Sequence, residues 1–291
     1  MGDLVSLIVT GLATGAIYAL IAIGFTLLWQ ASGTINFAQG EFVMVPAFFM
    51  LAAMNAGLPF PAAILVGLAV SLLVLGLLFK RALVDPMLRH GALPLAIATM
   101  ALSLLMREGV KEGFSAEAQP FPSIVPDTNV EILGVVVSLQ SLGVLAVALV
   151  AVAALQSLLQ GTTTGRQMQA TAQNPVLARL LGIPVERMIL YTFLINAALV
   201  ALASLLVTPI YLAKFSSGEV LGQAAFIAAI VGGYNQVRGA IAGGLLLGVI
   251  DNLAATYVST AYRGAIPLFL LVAIIMLRPQ GLFGRPEERT V

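Results

Sequence analysis

Residues 1–79 contain only two charged side chains, Asp3 and Glu41, before Lys80 begins the first basic segment. A soluble protein covers its core with charged residues, and a stretch this long without them could not be kept in water. The whole chain has the same character, with 60% hydrophobic residues, 9% charged residues and a mean hydropathy of +1.03. The sequence therefore predicts a polytopic protein whose solvent is the lipid bilayer.

The apolar runs are long and continuous and do not alternate every second residue, which predicts α-helices and not a β-barrel. We predict one all-α transmembrane domain over residues 1–291, with about nine membrane-spanning helices and a range of about eight to ten. The predicted helices are residues 4–29, 42–56, 61–79, 93–113, 138–160, 188–213, 222–234, 240–258 and 265–278. No Lys or Arg precedes the first run, so we interpret it as a mature helix and not as a cleaved signal peptide.

Basic residues are concentrated in certain connecting segments, and the positive-inside rule assigns those segments to the cytoplasm. The segments are residues 80–89, 166–187, 238 and 278–289, the last of which includes Arg285 and Arg289. Residues 114–134 carry Glu117, Asp127 and Glu131 and no basic residue, which predicts an external loop. The alternation predicts a multi-pass protein of the bacterial inner membrane, with the N-terminus outside and the C-terminus in the cytoplasm.

Several functions are made improbable by what the sequence lacks. It has no cysteine and a single histidine, His90, so disulfide, redox and histidine-based metal sites are not expected. The formal net charge is +1 and no block is rich in Lys or Arg, so nucleic-acid binding is not expected. The G-x-x-x-x-G-K-[ST] phosphate loop is also missing, so the chain lacks the usual cradle for ATP.

The longest predicted cytoplasmic loop, residues 161–187, contains a complete set of signals for a short helix. Asn174 is suited to cap the helix, Pro175 to occupy its first position, and Gly182 to end it in a left-handed conformation. Pro184 prevents the helix from resuming. Two interpretations stay open at this point: an ordinary amphipathic connector, or a docking element for a cytoplasmic motor.

Four stretches of the sequence resemble the permeases of ATP-binding-cassette (ABC) importers for branched-chain amino acids. The first is GLATGAIYALIAIGFTLLWQASGTINFAQGEF, which looks like the family's first helix and its INFA-x-GE segment. The second lies in the cytoplasmic loop and matches the family pattern at Gly165, Arg166, Ala170, Ala172, Ala178, Gly182 and Ile183. The others are AAFIAAIVGGYNQVRGAIAGGLLLGVID and, near the tail, LRPQGLFGRPE.

The resemblance implies a type II-like importer permease that performs no bond chemistry and binds no cofactor. ATP and Mg²⁺ would bind two cytoplasmic ATPase subunits that contact the coupling loop, residues 161–187. We assign this contact to Gly165, Arg166, Ala170, Asn174, Pro175, Ala178, Arg179 and Gly182. Further implied partners are a second, homologous permease in a heterodimer, a periplasmic substrate-binding protein and membrane lipid.

The sequence also departs from the family pattern. Gln39 stands where family members often carry His, Gln169 where Arg is frequent, and Asn174 where Asp is common. Residues 234–238 replace a small, Gly-rich turn. The substrate is therefore left open among leucine, isoleucine, valine, urea, short amides and other small hydrophobic acids.

The translocation pathway is expected at places where polar or small residues interrupt an apolar run. Between residues 33 and 41 we predict a fresh helix that starts near Asn36, with Gln39 completing a capping box and Glu41 in its first turn. The helix start would offer free amides partway into the membrane, as broken helices of transporters do. The alternative is simple capping at the cytoplasmic surface, and Glu41 would itself repel a carboxylate.

Gly232 and Gly233 begin a second glycine-rich break, which continues to Gly248. With the first break it indicates a possible inverted repeat, although glycine spacing of this kind also serves plain helix packing. Asp251 lies within a predicted span and should face a partner or a water-filled cavity. Arg107 and its charged neighbours lie near the outer end of the fourth span, where we predict that they act as membrane anchors and that Glu108 pairs with Lys111.

Two other classes of function are kept beside the permease. A secondary transporter would couple ions at buried carboxylates such as Glu41 and Asp251. An intramembrane enzyme is the weakest candidate, because no histidine-rich metal site and no convincing pair of nucleophile and base is present.

Overall fold

The computed structural model describes residues 2–114, 116–126, 128–132, 135–259 and 264–284. These residues form eleven helices and one short β-hairpin. The helices are α1 (Gly2–Ser32), α2 (Gln39–Asn55), α3 (Phe60–Leu88), α4 (Ala92–Gly113), α5 (Leu139–Gly161), α6 (Thr163–Gln173), α7 (Pro175–Leu180), α8 (Val185–Tyr211), α9 (Ser217–Gly233), α10 (Val237–Tyr257) and α11 (Ala265–Leu277).

The apolar segments predicted from the sequence are all helical in the described part of the chain. Six helices there (α1, α3, α4, α5, α8 and α10) are long and apolar enough to cross a membrane, whereas α9 and α11 are shorter. The largest difference in bounds concerns α3, which we expected to end at residue 79. It continues as a π-helix over Ser71–Val84, because the charged end of Lys80 bonds to Asp85 of the same helix instead of ending it.

The predicted external loop contains a hairpin that the prediction missed. Strand β1 (Asn129–Ile132) pairs antiparallel with β2 (Val135–Ser138), with Val130 opposite Val137. β-branched residues favour strands, and the valines of these two segments were the available signal. Three residues used to assign the orientation, Asp127, Arg285 and Arg289, lie outside the described residues.

The chain divides into two compact units, and α1, α5 and α9 each contribute residues to both. The first unit comprises Met1–Thr26, Ser123–Ala148 and Gln223–Val291. Its helices α1 and α10 approach so closely that a Cβ atom added at Gly244 or Gly248 would collide with the backbone of α1. In lipid the hydrophobic effect does not drive helices together, and close packing of small residues holds them instead.

The second unit comprises Leu27–Pro122 and Leu149–Gly222. Helix α2 is buried along most of its length and packs against α3 and α8. Three aromatic rings connect these helices: Phe42 is 4.9 Å from Phe79, which is 5.8 Å from Phe193 (ring centroids). The start of α2 is therefore held within a packed core.

Candidate functional site

The interruption between α1 and α2 is built around two side-chain amides that bind each other. Gln39 Nε2 donates to Asn196 Oδ1 at 2.7 Å, and Asn196 Nδ2 donates back to Gln39 Oε1 at 3.1 Å. Both side chains are fully buried. Each amide thus satisfies the other where water is excluded, as buried polar groups require.

The predicted capping box at this helix start is wrong. The residue before α2 is Ala38, which cannot cap through its side chain. The Gln39 side chain bonds to Asn196 and, at 3.5 Å, accepts from Asn36 Nδ2, and it does not bond to a backbone amide as a capping box requires. Asn36 supports the turn in another way, because its Oδ1 accepts a hydrogen bond of 3.1 Å from the Ala38 amide. The tertiary partner on α8 outcompetes the local cap.

The interruption lies beside the interior of two spanning helices and not beside their ends. Asn196 is near the middle of α8. The amide of Phe37 donates to Thr99 Oγ1 at 3.2 Å, and Thr99 lies well inside α4. Helix α2 therefore begins level with the interior of its neighbours.

Glu41 is the centre of an ion-pair cluster at the same helix start. Its Oε1 accepts hydrogen bonds from Arg107 Nη2 at 3.0 Å and Nε at 3.3 Å. Arg107 Nη1 also lies 2.8 Å from Glu219 Oε2. One guanidinium on α4 thereby joins the first turns of α2 and α9, a geometry for which its fork of donors is suited.

This cluster corrects the prediction for Arg107 as a membrane anchor. Its side chain is 23% exposed and turns towards the carboxylate of Glu41 instead of extending to the membrane surface. The predicted pair of Glu108 and Lys111 is confirmed, with 3.1 Å between Oε2 and Nζ. Ion pairing with a buried carboxylate decides the conformation of Arg107, and position along a helix does not reveal such a partner.

Helices α2 and α9 meet at their first turns. A Cβ atom added at Gly40 would collide with the backbone of Gly218 and Gly222. The chain enters α9 through Leu212, which adopts a positive φ of 66°, and through Ala213, whose backbone pairs with that of Gln119. A further interruption therefore precedes α9, in addition to the glycine-rich break predicted at Gly232 and Gly233, where α9 ends before α10 begins at Val237.

Two small clefts lie in the second unit near this meeting point. One lies between the start of α2 and the entry to α9, with Met44, Thr208, Lys214, Ser217 and Leu221 among its lining residues. The other is lined by Asn36, Thr99, Phe79 and Phe193 among others. Each has a volume of about 10 Å³, which is room for about one water molecule, so the described state leaves no space there for a substrate.

The other predicted pathway residues belong to the first unit. Gly232 and Gly233 end α9, where the backbone of Gly232 accepts a hydrogen bond from Phe283 and contacts Gly239. Asp251 Oδ2 accepts a hydrogen bond of 3.3 Å from Tyr18 Oη. Tyr234 follows α9, and burial raises the pKa of its hydroxyl. Within the described residues, no group of three or more His, Cys, Asp or Glu side chains could hold a metal ion.

The coupling loop contains the predicted short helix and one more. Asn174 Oδ1 accepts hydrogen bonds from the amides of Val176 and Leu177, so it caps α7 as predicted. Gly182 adopts the expected left-handed φ of 78°. The preceding helix α6 was not predicted. It starts at a Thr162 cap and is held to α5 by Gln169, whose Nε2 donates to the Leu159 carbonyl.

The eight predicted coupling residues divide by exposure. Gly165 and Ala178 are buried, and Ala170 is half-buried, so these three hold the loop in shape. The exposed ones are Arg166, Asn174, Pro175, Arg179 and Gly182. The prediction missed the exposed apolar side chains of the same short helix, which are Val176, Leu177, Leu180 and Leu181. Their signal was the VLARLL sequence itself.

Comparison of the sequence with known proteins identifies the family of this chain. Residues 7–275 match the family described as "Branched-chain amino acid transport system / permease component". BraD of Pseudomonas aeruginosa, a high-affinity branched-chain amino acid transport system permease protein, is 31% identical over 98% of this chain and 97% of its own. LivH of Escherichia coli K12, of the same description, is 30% identical over 97% and 96%. A probable LivH of Methanocaldococcus jannaschii is 27% identical over 91% and 88%.

These matches cover nearly the whole chain, and the described residues contain six helices that are able to span a membrane. The protein is therefore a multi-pass membrane transport component. The chain belongs to the family of branched-chain amino acid transport system permease components.

Proposed function

We propose that the chain is the permease subunit of an ABC importer that moves branched-chain or related small amino acids, or their amides, across the inner membrane. Its relatives BraD and LivH are named as high-affinity branched-chain amino acid permeases, which supports this substrate class. The sequence contains no phosphate loop, so the energy has to come from elsewhere. ATP and Mg²⁺ bind two cytoplasmic ATPase subunits, and this chain binds no cofactor.

The observation that carries the proposal is the exposed apolar surface of α7. Leu180 and Leu181 are each 79% exposed, and Val176 and Leu177 are 64% and 56% exposed. A short, well-capped helix with four exposed apolar side chains is a stable element that still has apolar surface to bury. In the proposed complex each α7 docks on an ATPase subunit, and ATP-driven movement of this helix changes access to the pathway.

The starts of α2 and α9 support a pathway through the second unit. In the proposed topology, nine helices cross or enter the membrane, the N-terminus is outside and the C-terminus is cytoplasmic. Helices α2 and α9 then run in opposite directions from first turns that meet inside the membrane. This arrangement is an inverted pair of the kind that forms transporter binding sites. Asn36, Gln39 and Glu41 belong to this pathway. Gly232, Gly233 and Asp251 were predicted to belong to it as well, but in this proposal they serve the packing of the first unit, which the contacts of Gly232 with Gly239 and of Asp251 with Tyr18 support.

The remaining proposed partners are a second, homologous permease, which forms a heterodimer with this chain, and a periplasmic binding protein. The binding protein delivers the substrate to the outer face. In the proposed complex, closure of the ATPase dimer on ATP switches the two permease subunits between outward and inward access.

Docking is tested with Leu180→Glu in membrane vesicles that contain the co-expressed partners. A charge at the centre of the docking surface should cost about 2 kcal/mol, roughly thirtyfold in affinity, and strongly reduce both ATPase co-purification and ATP-dependent leucine uptake. Thr163→Glu is the matched control, because this exposed residue lies in the first turn of α6, where an acidic side chain is favourable. Unchanged uptake in Leu180→Glu would contradict the proposal.

The same vesicles separate the importer from an ion-coupled transporter. Uptake through the proposed importer stops when ATP hydrolysis is blocked and survives the collapse of ion gradients. Uptake that follows the ion gradient without ATPase subunits would favour the secondary transporter, with Glu41 and Asp251 as its ion-coupling groups.

A further inference from the structure

One oxygen of the Glu41 carboxylate has no hydrogen-bond donor among the described residues. The side chain is 2% exposed, and Oε1 receives both Arg107 and the Ser103 hydroxyl. Oε2 is buried and receives none. A buried charged acceptor without a partner is costly, so such an atom in a stable helix start calls for an explanation.

The free oxygen points to the first turn of α9. A Cβ atom at Gly218 would collide with Oε2, so the absence of a side chain at this position leaves the space that the oxygen occupies. Gly40, next to Glu41, also contacts the backbone of Gly218. The oxygen therefore lies at the junction of the two helix starts, and a small movement of α9 would open it.

The charges around Oε2 select a positive ligand. Two helix starts would attract an anion, but the acidic side chains Glu41 and Glu219 already occupy their first turns. Arg107 pairs with both of these carboxylates, so one positive charge faces two negative charges at this junction. A second anion would be repelled, whereas a group with N–H donors and a positive charge would satisfy the free oxygen.

We infer that Glu41 Oε2 is the acceptor for the α-ammonium group of the transported amino acid. This inference rests on the proposed function, and it specifies which part of the substrate the buried carboxylate recognises. In the described state α9 covers the oxygen. Access arises in another state of the transport cycle, when α9 moves at Gly218 and the ammonium group donates to Oε2.

The test is chemical modification in vesicles that contain the full transporter during ATP turnover. Dicyclohexylcarbodiimide is an apolar reagent that modifies carboxyl groups in membranes, and mass spectrometry of the digested chain locates the adduct. We expect an adduct on Glu41. Leucine and 3-methylbutylamine should each lower the amount of this adduct about tenfold, whereas 4-methylpentanoate should leave it unchanged. Equal protection by the amine and the acid, absence of protection by leucine, or absence of the adduct would each overturn the inference.

The first unit supplies an internal control. Asp251 is also a buried carboxylate, but it accepts a hydrogen bond from Tyr18, and its level of modification should not respond to the amine. If ATP-dependent leucine uptake is absent from the vesicles, the proposed function itself fails. If uptake is present and protection is absent, only the ammonium site fails.

Two variants examine the same site without relying on modification of Glu41. Gly218→Ala places a methyl group against Oε2 while keeping every charge, and should remove inhibition of leucine uptake by 3-methylbutylamine. Glu41→Gln keeps the shape of the side chain and removes its charge. This variant should also weaken inhibition by 3-methylbutylamine by about tenfold. Gly109→Ala is the matched glycine control, because no described atom lies within 4 Å of a Cβ atom there. Amine inhibition that is retained in Glu41→Gln would overturn the inference even if Gly218→Ala does not fold.

Discussion

Two carboxylates are buried inside helices in the described part of this chain, and they are held in different ways. Asp251 in the first unit accepts a hydrogen bond from the neutral Tyr18, between helices whose glycines bring the backbones together. Glu41 in the second unit is bound on one oxygen by Arg107 and is free on the other, where two helices begin. Burying a carboxylate in lipid costs free energy in both places. The difference is that Asp251 is bonded between closely packed helices, whereas Glu41 keeps one acceptor oxygen without a donor.

The difference teaches how to separate structural from functional acidic residues in a membrane helix. Around Asp251 the helices interlock, and the residue next to it, Asn252, also bridges to α1, through Thr14 Oγ1 at 3.4 Å. Around Glu41 the helix starts also meet through glycines, but the Arg107 ion pairs join them and Oε2 is left without a donor. We therefore expect changes near Glu41 to alter transport, and changes near Asp251 to alter the packing of α1 and α10.

The largest effect is expected for Arg107→Met. This change leaves Glu41 buried without its cation and should lower the free energy of unfolding by about 3 kcal/mol, because a buried charge loses its partner. Unfolding of the purified protein by a denaturing detergent, followed by tryptophan fluorescence, measures the change.

Lys111→Met on the same helix is the control for Arg107→Met. Lys111 forms an exposed pair with Glu108 and lies 6.0 Å from the centre of the Phe215 ring, and because such surface contacts contribute little, only a small change in unfolding is expected. If both variants unfold alike, the ion-pair cluster does not stabilise the second unit and the contrast with Asp251 disappears.

The second effect concerns the interlocked helices of the first unit. A methyl group in Gly248→Ala would collide with the backbone of Gly15, so α1 and α10 must separate, at a cost of about 1–3 kcal/mol. The same separation should break the hydrogen bond from Tyr18 to Asp251. Unfolding of this variant is compared with that of Gly109→Ala, and stability equal to that control would contradict the close packing.

Much of the fold and of the coupling loop follows from the sequence, because the signals there are local. A run of apolar residues is enough to place a helix in lipid, and Asn174, Pro175 and Gly182 together define a short helix at its own site. The bilayer leaves helices as the main choice, so each predicted apolar segment proved helical. The ends of some helices differ from the prediction, as at Lys80, whose side chain bonds to Asp85 of the same helix.

The candidate site was less predictable because its contacts are distant in sequence. Glu41 and Arg107 are 66 residues apart, and Gln39 and Asn196 are 157 apart. No local pattern shows that two such groups will meet, and each had a plausible local role as a cap or as an anchor. The sequence identified Gln39 and Glu41 as unusual but gave no information on Asn196, which is one amide within an otherwise apolar helix.

The third effect tests the amide pair at the start of α2. Gln39→Ala and Asn196→Ala each leave one buried amide without its partner, and the double variant removes both. Interhelical hydrogen bonds in membranes contribute about 1 kcal/mol, so the double-mutant cycle should give a coupling free energy of that size. A coupling near zero would mean that the pair does not hold the helix start.

The smallest effect is expected for Asp251→Asn. The amide oxygen still accepts the hydrogen bond from Tyr18, and the change removes a buried charge, so the free energy of unfolding should shift by less than about 1 kcal/mol. Leucine uptake should stay close to that of the unmodified protein, whereas Glu41→Gln, an equivalent loss of one charge, should impair it. Uptake assays on the two variants side by side measure this difference directly. A loss of uptake in Asp251→Asn with unchanged stability would make Asp251 a transport residue as well, and the glycine packing around it would then serve movement of α1 and α10 instead of fixing them.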